Sequence, residues 1–221
     1  MFPQPRAVGG RGVHHRMKKL FLLLCLLPLL ASYSFAQESR QDVSASFIGT
    51  FQPTITGNTV TQTSTYGKGV LLSYRFMLTP SSAVEGNFQY SQMNMDYVVG
   101  GSTSATGYSS AKFHNSMDGG SVAYVRSFVY KNFNPFAEAG AGLLLFDPID
   151  DSGTSTNAGT RTRKIGALLG VGVAYELSPS WDLRAEYRGF ILKSVDFGIS
   201  QFDANRYYWM QQPTIGFAYH F

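Results

Sequence analysis

The stretch from Tyr207 to Phe221, YYWMQQPTIGFAYHF, decides the fold. Every second residue, counted back from the end, belongs to a mostly aromatic or aliphatic set: Phe221, Tyr219, Phe217, Ile215, Pro213, Gln211 and Trp209. The residues between them are mostly small or polar: His220, Ala218, Gly216, Thr214, Gln212 and Met210. Because successive side chains of a strand point to opposite faces, this pattern predicts a β-strand with one apolar face. Such a closing strand is typical of a transmembrane β-barrel, in which the last strand pairs with the first.

The beginning of the sequence predicts a segment that is removed on export. A basic start at Met17–Lys19 precedes an apolar run of eleven residues, Leu20–Leu30, and a small-x-small site that ends at Ala36. Eleven helical residues reach only about 16 Å, too short for a hydrocarbon core of roughly 30 Å. We therefore expect residues 17–36 to be a secretory signal peptide cleaved after Ala36. Residues 1–16 precede the better start at Met17 and are interpreted as a mis-assigned start or a disordered extension.

Cleavage changes what the charge implies. The whole sequence has 18 basic and 14 acidic residues, but five of the basic and none of the acidic residues precede Gln37. The mature chain would keep 13 basic and 14 acidic residues, a formal charge of −1 instead of +4. The positive charge therefore predicts no nucleic-acid partner. The single cysteine, Cys25, lies in the leader, so we expect no disulfide and a fold stabilised by strand pairing and packing.

The mature chain, residues 37–221, contains eight segments of alternating polarity and is expected to form one domain. No run of 18 apolar residues follows Ala36, which excludes a membrane-spanning helix. Each segment has the ~9–11 residues that a tilted strand needs to cross a bilayer. The segments are 42–52, 67–78, 83–97, 114–129, 134–146, 163–177, 181–193 and 207–221.

The connections between these segments alternate between short and long. The short ones are 79–82, 130–133 and 178–180, and the long ones are 53–66, 98–113, 147–162 and 194–206. Outer-membrane barrels have short periplasmic turns and longer external loops. With both termini periplasmic, eight strands require three turns and four loops. The sequence therefore predicts an all-β protein, an eight-stranded antiparallel up-and-down transmembrane β-barrel.

The alternation also separates an outward face from an inward one. Aromatic residues cluster near strand ends, as expected of the girdles at the membrane interfaces: Tyr74, Phe76, Tyr175, Trp181, Tyr219 and Phe221. A basic residue facing lipid would cost about 2–4 kcal/mol near the bilayer midplane. We therefore expect the charged residues of the strands to share the lumen: Arg75, Glu85, Glu138, Glu176, Arg184, Glu186 and Arg188.

Strand pairing supports a filled, mutually neutralising interior. The hairpin around Pro179 would place long charged side chains opposite small ones: Arg184 opposite Ala174, Glu186 opposite Gly172, and Arg188 opposite Gly170. Arg75 and Glu85 would face each other across the 79–82 turn. Buried charges persist only when they are paired and hydrogen-bonded. Eight strands enclose little more than their own side chains, so we expect no wide diffusion pore. A barrel of this size could still allow a narrow or gated conductance.

The fourth segment allows two orientations. If Arg126 faces inward, it meets Glu138 across the 130–133 turn, and Tyr124 lies over Gly140. If it faces outward, it is an interface residue whose side chain snorkels to water. We favour the inward orientation because Glu138 needs a partner, which adds Arg126 to the expected lumen network.

Two loop regions carry residues with catalytic or metal-binding potential. His114 lies near Ser109, Ser110, Ser116 and Asp118, a combination that could serve lipid hydrolysis or acyl transfer. The region lacks a G-x-S-x-G elbow, and serine is common here, so a loop histidine is the better interpretation. The acidic residues Asp147, Asp150 and Asp151 lack the 1-3-5 spacing of a calcium loop and favour a solvated loop. No cofactor, metal or catalytic site is expected.

Three stretches carry a family resemblance: NPFAEAGAGLLLFDP from Asn134, LLGVGVAYELSPSWDLRAEYRG from Leu168, and QQPTIGFAYHF from Gln211. Together with the alternation over residues 41–221, they resemble the small outer-membrane β-barrel domain of the OmpA/OmpX type. The resemblance implies a location in the outer membrane, contact with its lipids, and passage by periplasmic chaperones to the barrel assembly machinery. That machinery would recognise the closing strand through Ile215, Phe217, Tyr219 and Phe221. Since no peptidoglycan-binding domain follows Phe221, we expect no cell-wall tether.

These observations predict a non-enzymatic outer-membrane barrel with a packed, charged lumen. It would act in envelope integrity or surface interaction through its external loops, and the sequence identifies no external ligand. The alternatives are a small-solute, porin-like channel and, less favoured, a lipid-modifying enzyme. A soluble lipocalin-like barrel is the rival fold, and it predicts apolar residues inside the barrel.

Overall fold

The computed structural model describes residues 40–100, 109–149 and 160–221. The expected N-terminal extension (1–16) and signal peptide (17–36) lie outside this range. Within it, ten strands form one antiparallel sheet, and a 3-10 turn spans Ser200–Phe202. The strands are β1 (Gln41–Thr50), β2 (Ile55–Gly57), β3 (Val60–Ser64), β4 (Gly67–Thr79), β5 (Ser82–Val99), β6 (Ser109–Ser127), β7 (Phe133–Ile149), β8 (Thr162–Ser178), β9 (Trp181–Lys193) and β10 (Tyr207–His220).

Eight of these strands, β1 and β4 to β10, close into a barrel. Each pairs antiparallel with its neighbours in the chain, and β10 returns to pair with β1. The closing register sets Val43 opposite Tyr219, and Phe47 opposite Ile215. Closure leaves neither the first nor the last strand with an open edge. The predicted eight-stranded antiparallel up-and-down barrel is therefore confirmed.

The register also fixes the tilt of the strands. Following paired residues once around the barrel gives Gln41, Phe76, Val84, Tyr124, Ala139, Leu169, Gly189, Gln211 and finally Phe51. One circuit thus returns to the first strand ten residues further along, from Gln41 to Phe51. Such a stagger requires tilted strands, within the usual range of about 35–45°. An eight-stranded barrel has an interior that side chains can fill.

The two ends of the barrel differ. At the turn end lie both termini of the barrel and the turns after β4, β6 and β8. At the loop end, the strands lead into the four long connections. The first of these, predicted as a plain loop over 53–66, contains the hairpin β2–β3, which pairs with the far end of β5. Its turn residues Asn58 and Thr59 both have positive φ, 48° and 64°, the backbone that a two-residue hairpin turn requires.

The outward face is apolar and carries aromatic residues at the turn end. Phe47 is 75% exposed and Val171 59%, although both are in the middle of paired strands. At the turn end, the Trp181 and Tyr219 rings lie 5.1 Å apart between centroids, in the expected girdle. A closed barrel with an apolar exterior is suited to a bilayer and contradicts the alternative of a soluble lipocalin-like barrel. Within the described ranges, no helix is both long and apolar enough to cross a membrane.

Candidate functional site

The barrel lumen contains a cluster of charged side chains in the half nearest the turn end. β4 supplies Arg75, β5 supplies Glu85, β7 supplies Glu138, and alternate residues of β9 supply the other three, Arg184, Glu186 and Arg188. The strands place all of them inward because each lies on the buried parity of its strand. Every one of these residues is at most 7% exposed.

Small residues on β8 make room for this cluster. Arg188 is paired with Gly170, Glu186 with Gly172, and Arg184 with Ala174, which are the pairings that the sequence predicts. A Cβ added at Gly170 would lie 2.8 Å from Cγ of Glu138 and 3.0 Å from Cβ of Arg188. The charged side chains therefore occupy the volume that a larger residue on β8 would fill.

Arg75 and Arg184 hold the part of the cluster nearest the turn end. The Arg75 side chain places Nη2 at 2.6 Å and Nε at 2.7 Å from Oε2 of Glu85, its partner across the β4–β5 turn. Arg184 places Nη2 at 3.1 Å from Asp42 and Nη1 at 3.7 Å from Glu85. The Phe136 ring lies 4.8 Å from the Arg75 guanidinium and adds a cation–π contact. These pairs neutralise charges that would be costly to bury alone.

Arg188 holds the deeper part of the cluster. Its side chain is wholly buried, with Nε 3.5 Å from Oε1 of Glu138 and Nη1 3.8 Å from Oε1 of Glu186. It also donates a hydrogen bond of 3.2 Å to Oγ of Ser121. One arginine therefore neutralises two carboxylates that come from different strands.

The cluster brings carboxylates close enough together to suggest a metal site. One oxygen each from Glu85, Glu138 and Glu186 lies within 4.8 Å of the others. However, Arg75, Arg184 and Arg188 reach the same carboxylates at ion-pair distances. These guanidinium groups supply the positive charge that a bound cation would bring. The arrangement is better suited to a static ion-pair network than to metal chemistry.

Sequence reasoning missed three members of this network, Asp42, Asp182 and His220. Nε2 of His220 lies 2.8 Å from Oδ2 of Asp182, and its Nδ1 lies 4.0 Å from Oδ2 of Asp42. Asp42 in turn contacts Arg184, so the network continues to the turn end of the lumen. The parity of β1 already carried the signal, since Asp42 precedes the inward Ser44 and Ser46 by the same period of two.

Glu176 and Arg126 were expected in the network, but both lie outside it. Glu176 has the inward parity but is only half-buried near the turn end, opposite Asp182. Among the described residues, no ion pair joins Glu176 to the network.

The inward assignment of Arg126 is wrong. Arg126 is exposed on the outer face and donates a 2.7 Å hydrogen bond to Oγ of Ser82. The hairpin turns over two residues, Lys131 and Asn132, which pairs Val125, not Arg126, with Glu138. A one-residue change of register moves every side chain of a strand to the other face. Val125 is buried and Arg126 is the snorkelling residue of the alternative interpretation.

The half of the lumen nearest the loop end contains a large apolar cluster beside a few buried polar side chains, and the sequence interpretation did not predict this cluster. Methionines from three strands line it: Met93, Met95, Met117 and Met210. Above them, the Phe113 ring lies 4.9 Å from the Phe197 ring and 5.7 Å from the Tyr97 ring, between centroids. The Tyr97 hydroxyl donates a 2.7 Å hydrogen bond to the carbonyl of Val195. The connection after β9 thus folds over the lumen and closes it with an apolar layer.

The residues considered for catalysis are not assembled into a site. His114 is half-buried on the outer face of β6, and Asp118 is four residues further along the strand, about 13 Å away. Asp118 forms a 3.5 Å ion pair with Arg161 instead. Within the described ranges, no hydrogen bond joins His114 to a serine or a carboxylate. The side chains of Ser109 and Ser110 lie outside the description.

The remaining serine and the acidic loop give no further support for chemistry. Ser116 is buried and lies opposite Asp147, at the loop end of the β6–β7 pair. Asp147 belongs to β7, so it is part of the barrel wall and not of a loop. Asp150 and Asp151 lie outside the described residues.

Comparison with known structures supports the same fold. The chain is similar to the outer membrane protein OprG from Pseudomonas aeruginosa, at 13% identity and a TM-score of 0.57, with 82% of this chain and 95% of that chain covered. It is also similar to Neisserial surface protein A, at 14% identity and a TM-score of 0.53, with 83% and 98% covered. At such identities the likeness shows the fold alone. A search of curated protein sequences finds no match.

The family comparison is more specific. Residues 22–221 match the model of the outer membrane protein beta-barrel domain, which covers nearly the whole sequence. In such barrels the short turns face the periplasm and the long loops face outward. The chain belongs to the outer membrane protein beta-barrel domain family and resides in the outer membrane.

Proposed function

We propose that this protein is a closed, non-enzymatic barrel that acts at the cell surface through its external loops, in surface interaction or envelope integrity. The observation that carries this proposal is the double closure of the lumen. Arg188 and its partners fill the half nearest the periplasm, and the cluster around Phe113 and Phe197 fills the external half. A solute would have to displace both layers to pass.

The energetics of the two layers favour a permanently closed state. Separating one partner from a buried ion pair costs about 3–5 kcal/mol because the other charge stays buried. Removing a buried aromatic side chain from its packing costs a similar amount, about 3–5 kcal/mol. Both costs would be incurred together by a continuous water path. The two layers therefore favour the closed barrel over the porin-like alternative.

The external surface has an ordered platform on which an interaction could be built. The β2–β3 hairpin pairs with β5 above the barrel rim, and its turn residue Asn58 donates a 3.1 Å hydrogen bond to the carbonyl of Asp203. Asp203 belongs to the connection after β9, which is itself held by a 2.8 Å backbone bond from Ser194 to Arg206. Two of the four external connections therefore support each other and present exposed polar residues outward.

The closing strand is proposed to direct assembly. The outward face of β10 carries Ile215, Phe217 and Tyr219, Phe221 follows directly after the strand, and all four are 38–55% exposed. A recognition factor could read this row of side chains before the strand pairs with β1. We assign that role to the barrel assembly machinery, after delivery by periplasmic chaperones.

A complementation experiment tests the surface role. In a strain that lacks the gene, Asn58→Asp with Arg206→Glu changes the external platform, and Lys131→Glu changes a periplasmic turn as the matched control. We expect the platform variant, but not the control, to lose resistance to detergent or attachment to surfaces while remaining folded in the membrane. Full complementation by the platform variant would contradict the proposal.

A further inference from the structure

The lipid-facing surface of the barrel contains a furrow that the proposed surface role does not use. It has a volume of about 840 Å³, and its walls include Tyr74, Phe88, Leu143 and Ile165. All four are exposed apolar residues of the outer face. The furrow has the size of a pocket for a small ligand, roughly 300–1,000 Å³, but its lining is almost entirely apolar.

The floor of the furrow is formed where the outer face lacks side chains. A Cβ added at Gly86 would meet no atom within 4 Å, and one at Gly120 would meet only the Asn87 carbonyl, at 3.8 Å. These two glycines therefore border open space on the membrane side. A hydrocarbon chain can fill such a depression without displacing any protein atom.

The furrow has a direction across the bilayer. One of its rows runs through paired residues of four strands: Phe88, Gly120, Leu143 and Ile165. Rows of paired residues rise toward the external side in this direction, since one circuit of the barrel climbs from Gln41 to Phe51. The row thus ends at its external side on Ile165.

Basic side chains lie at this external end. Arg163 is the next outward residue of β8 after Ile165, and it is exposed. Lys193 is the last residue of β9, and it is paired with Tyr207. The two strands remain adjacent here, because a Cβ on Gly166 would lie 3.4 Å from Cβ of Leu192. Continuing that register sets Lys193 beside Ile165 and near Arg163.

The acidic residues nearest this position are Asp118 and Asp147, on the outer faces of β6 and β7. Arg161, two residues beyond Arg163, forms an ion pair with Asp118, and Lys164 on the inner face forms one with Asp196. Within the described residues, neither Arg163 nor Lys193 has an ion-pair partner. Two cations that form no ion pair within the described residues thus stand at the external end of the apolar furrow.

We propose that the furrow and the pair Arg163 and Lys193 bind one anionic, phosphate-bearing lipid of the outer leaflet. Its acyl chain lies along Ile165, Leu143, Gly120 and Phe88, and its phosphate accepts hydrogen bonds from the arginine and the lysine. The acyl chain of any lipid could contact the furrow, but the two cations select a lipid that carries a phosphate. Arginine suits this role because its planar fork matches phosphate oxygens.

Native mass spectrometry of the purified barrel in phosphatidylcholine nanodiscs tests the proposal. Lipid A is added as the probe, alongside a dephosphorylated lipid A and free inorganic phosphate as separate arms. We expect lipid A to be retained, with retention falling about fivefold for each charge lost in Arg163→Gln and Lys193→Gln. Retention of the dephosphorylated lipid should not change with these two substitutions, and inorganic phosphate should not displace lipid A.

The apolar half of the site has its own variants and controls. Gly86→Leu and Gly120→Leu extend into the furrow from positions where the added Cβ meets no clash, so they should lower retention of both lipids in a barrel that still shows heat-modifiable migration on gels. Val171→Leu, on the outer face away from the furrow, and Lys68→Gln, an exposed external lysine on β4, are the matched controls. Equal loss in the controls, no loss in either variant set, or complete competition by inorganic phosphate would overturn the proposal.

Discussion

Arg188 of β9 lies wholly inside the barrel, and its Nε atom is 3.5 Å from Oε1 of Glu138. Glu138 belongs to β7, two strands before β9 in the chain. The contact reaches across Gly170 of the intervening strand β8, where there is no side chain to separate the two groups. Arg188 therefore joins β9 to β7 through the lumen. The barrel wall is held together inside as well as by its backbone ladder.

Replacing Arg188 should destabilise the barrel strongly. Arg188→Met leaves Glu138 and Glu186 buried without their shared cation, and we expect a loss of about 3–5 kcal/mol in the free energy of unfolding. Urea unfolding in lipid vesicles, followed through the fluorescence of Trp181 and Trp209, measures it. Arg126→Met, on the outer face, is the control and should change stability by no more than about 1 kcal/mol. Equal losses in both variants would contradict the assignment of Arg188 as the internal link.

Adding one methyl group at Gly170 should also be costly. Gly170→Ala places a Cβ against Glu138 and Arg188, and overpacking of this kind costs about 1–3 kcal/mol. Gly86→Ala is the matched control because the new Cβ would meet open space on the membrane side. Thermal unfolding of the two variants in the same detergent gives the comparison. A Gly170 variant as stable as the Gly86 variant would show that the cluster can move aside.

The orientation of β6 can be checked residue by residue. A nitroxide label at Arg126→Cys should collide with oxygen dissolved in the bilayer or with a water-soluble relaxant at its edge, because this position faces outward. A label at Val125→Cys should be inaccessible to both and immobile, because Val125 lies in the lumen opposite Glu138. The reverse accessibility pattern would restore the inward orientation of Arg126.

The fold was predictable because its signal is repeated along the chain. The parity of β10, the eight alternating segments and the alternation of short and long connections each predict the same barrel. The lumen pairs Arg75–Glu85 and Arg188–Gly170 followed from hairpins with correctly placed turns. Arg126 did not, because its expected pairing with Glu138 requires an odd number of residues in the turn, whereas Lys131 and Asn132 form a turn of two.

The apolar layer could not be obtained from strand parity alone. Phe197 and Phe202 lie in the connection after β9, and a loop has no period from which to infer its direction. The β2–β3 hairpin was missed for a related reason. Its turn residues, Asn58 and Thr59, lack the glycine that usually marks a two-residue hairpin. These long-range contacts are specified by tertiary packing and leave little local signal.

Opening the apolar layer should loosen the external surface without opening the barrel. Phe197→Ala removes ring contacts with Tyr97 and Phe113, and we expect faster hydrogen exchange over residues 194–206 with little change in the barrel strands. Phe128→Ala, an exposed aromatic at the periplasmic end, is the control and should leave that exchange unchanged. Exchange that accelerates throughout the barrel would show that the layer supports the wall itself.

The closing strand should matter for assembly more than for stability. Phe221→Ala removes an exposed side chain that makes only a stacked contact with Tyr219, so the folded barrel should lose about 1 kcal/mol or less. Its yield in the membrane should fall well below that of Phe128→Ala, which changes another exposed phenylalanine, outside the closing strand. Normal heat-modifiability and surface exposure of the Phe221 variant in cells would count against the assembly role.

Single-channel recording in planar bilayers tests the closed lumen most directly. The barrel is reconstituted with its insertion verified by heat-modifiable migration, and a wide general porin is recorded under the same conditions. We predict that the wild-type protein leaves the membrane at its baseline, because the Arg188 cluster and the Phe113–Phe197 layer both block the lumen. A stable, sizeable conductance of the wild-type barrel would contradict the account and restore the channel interpretation.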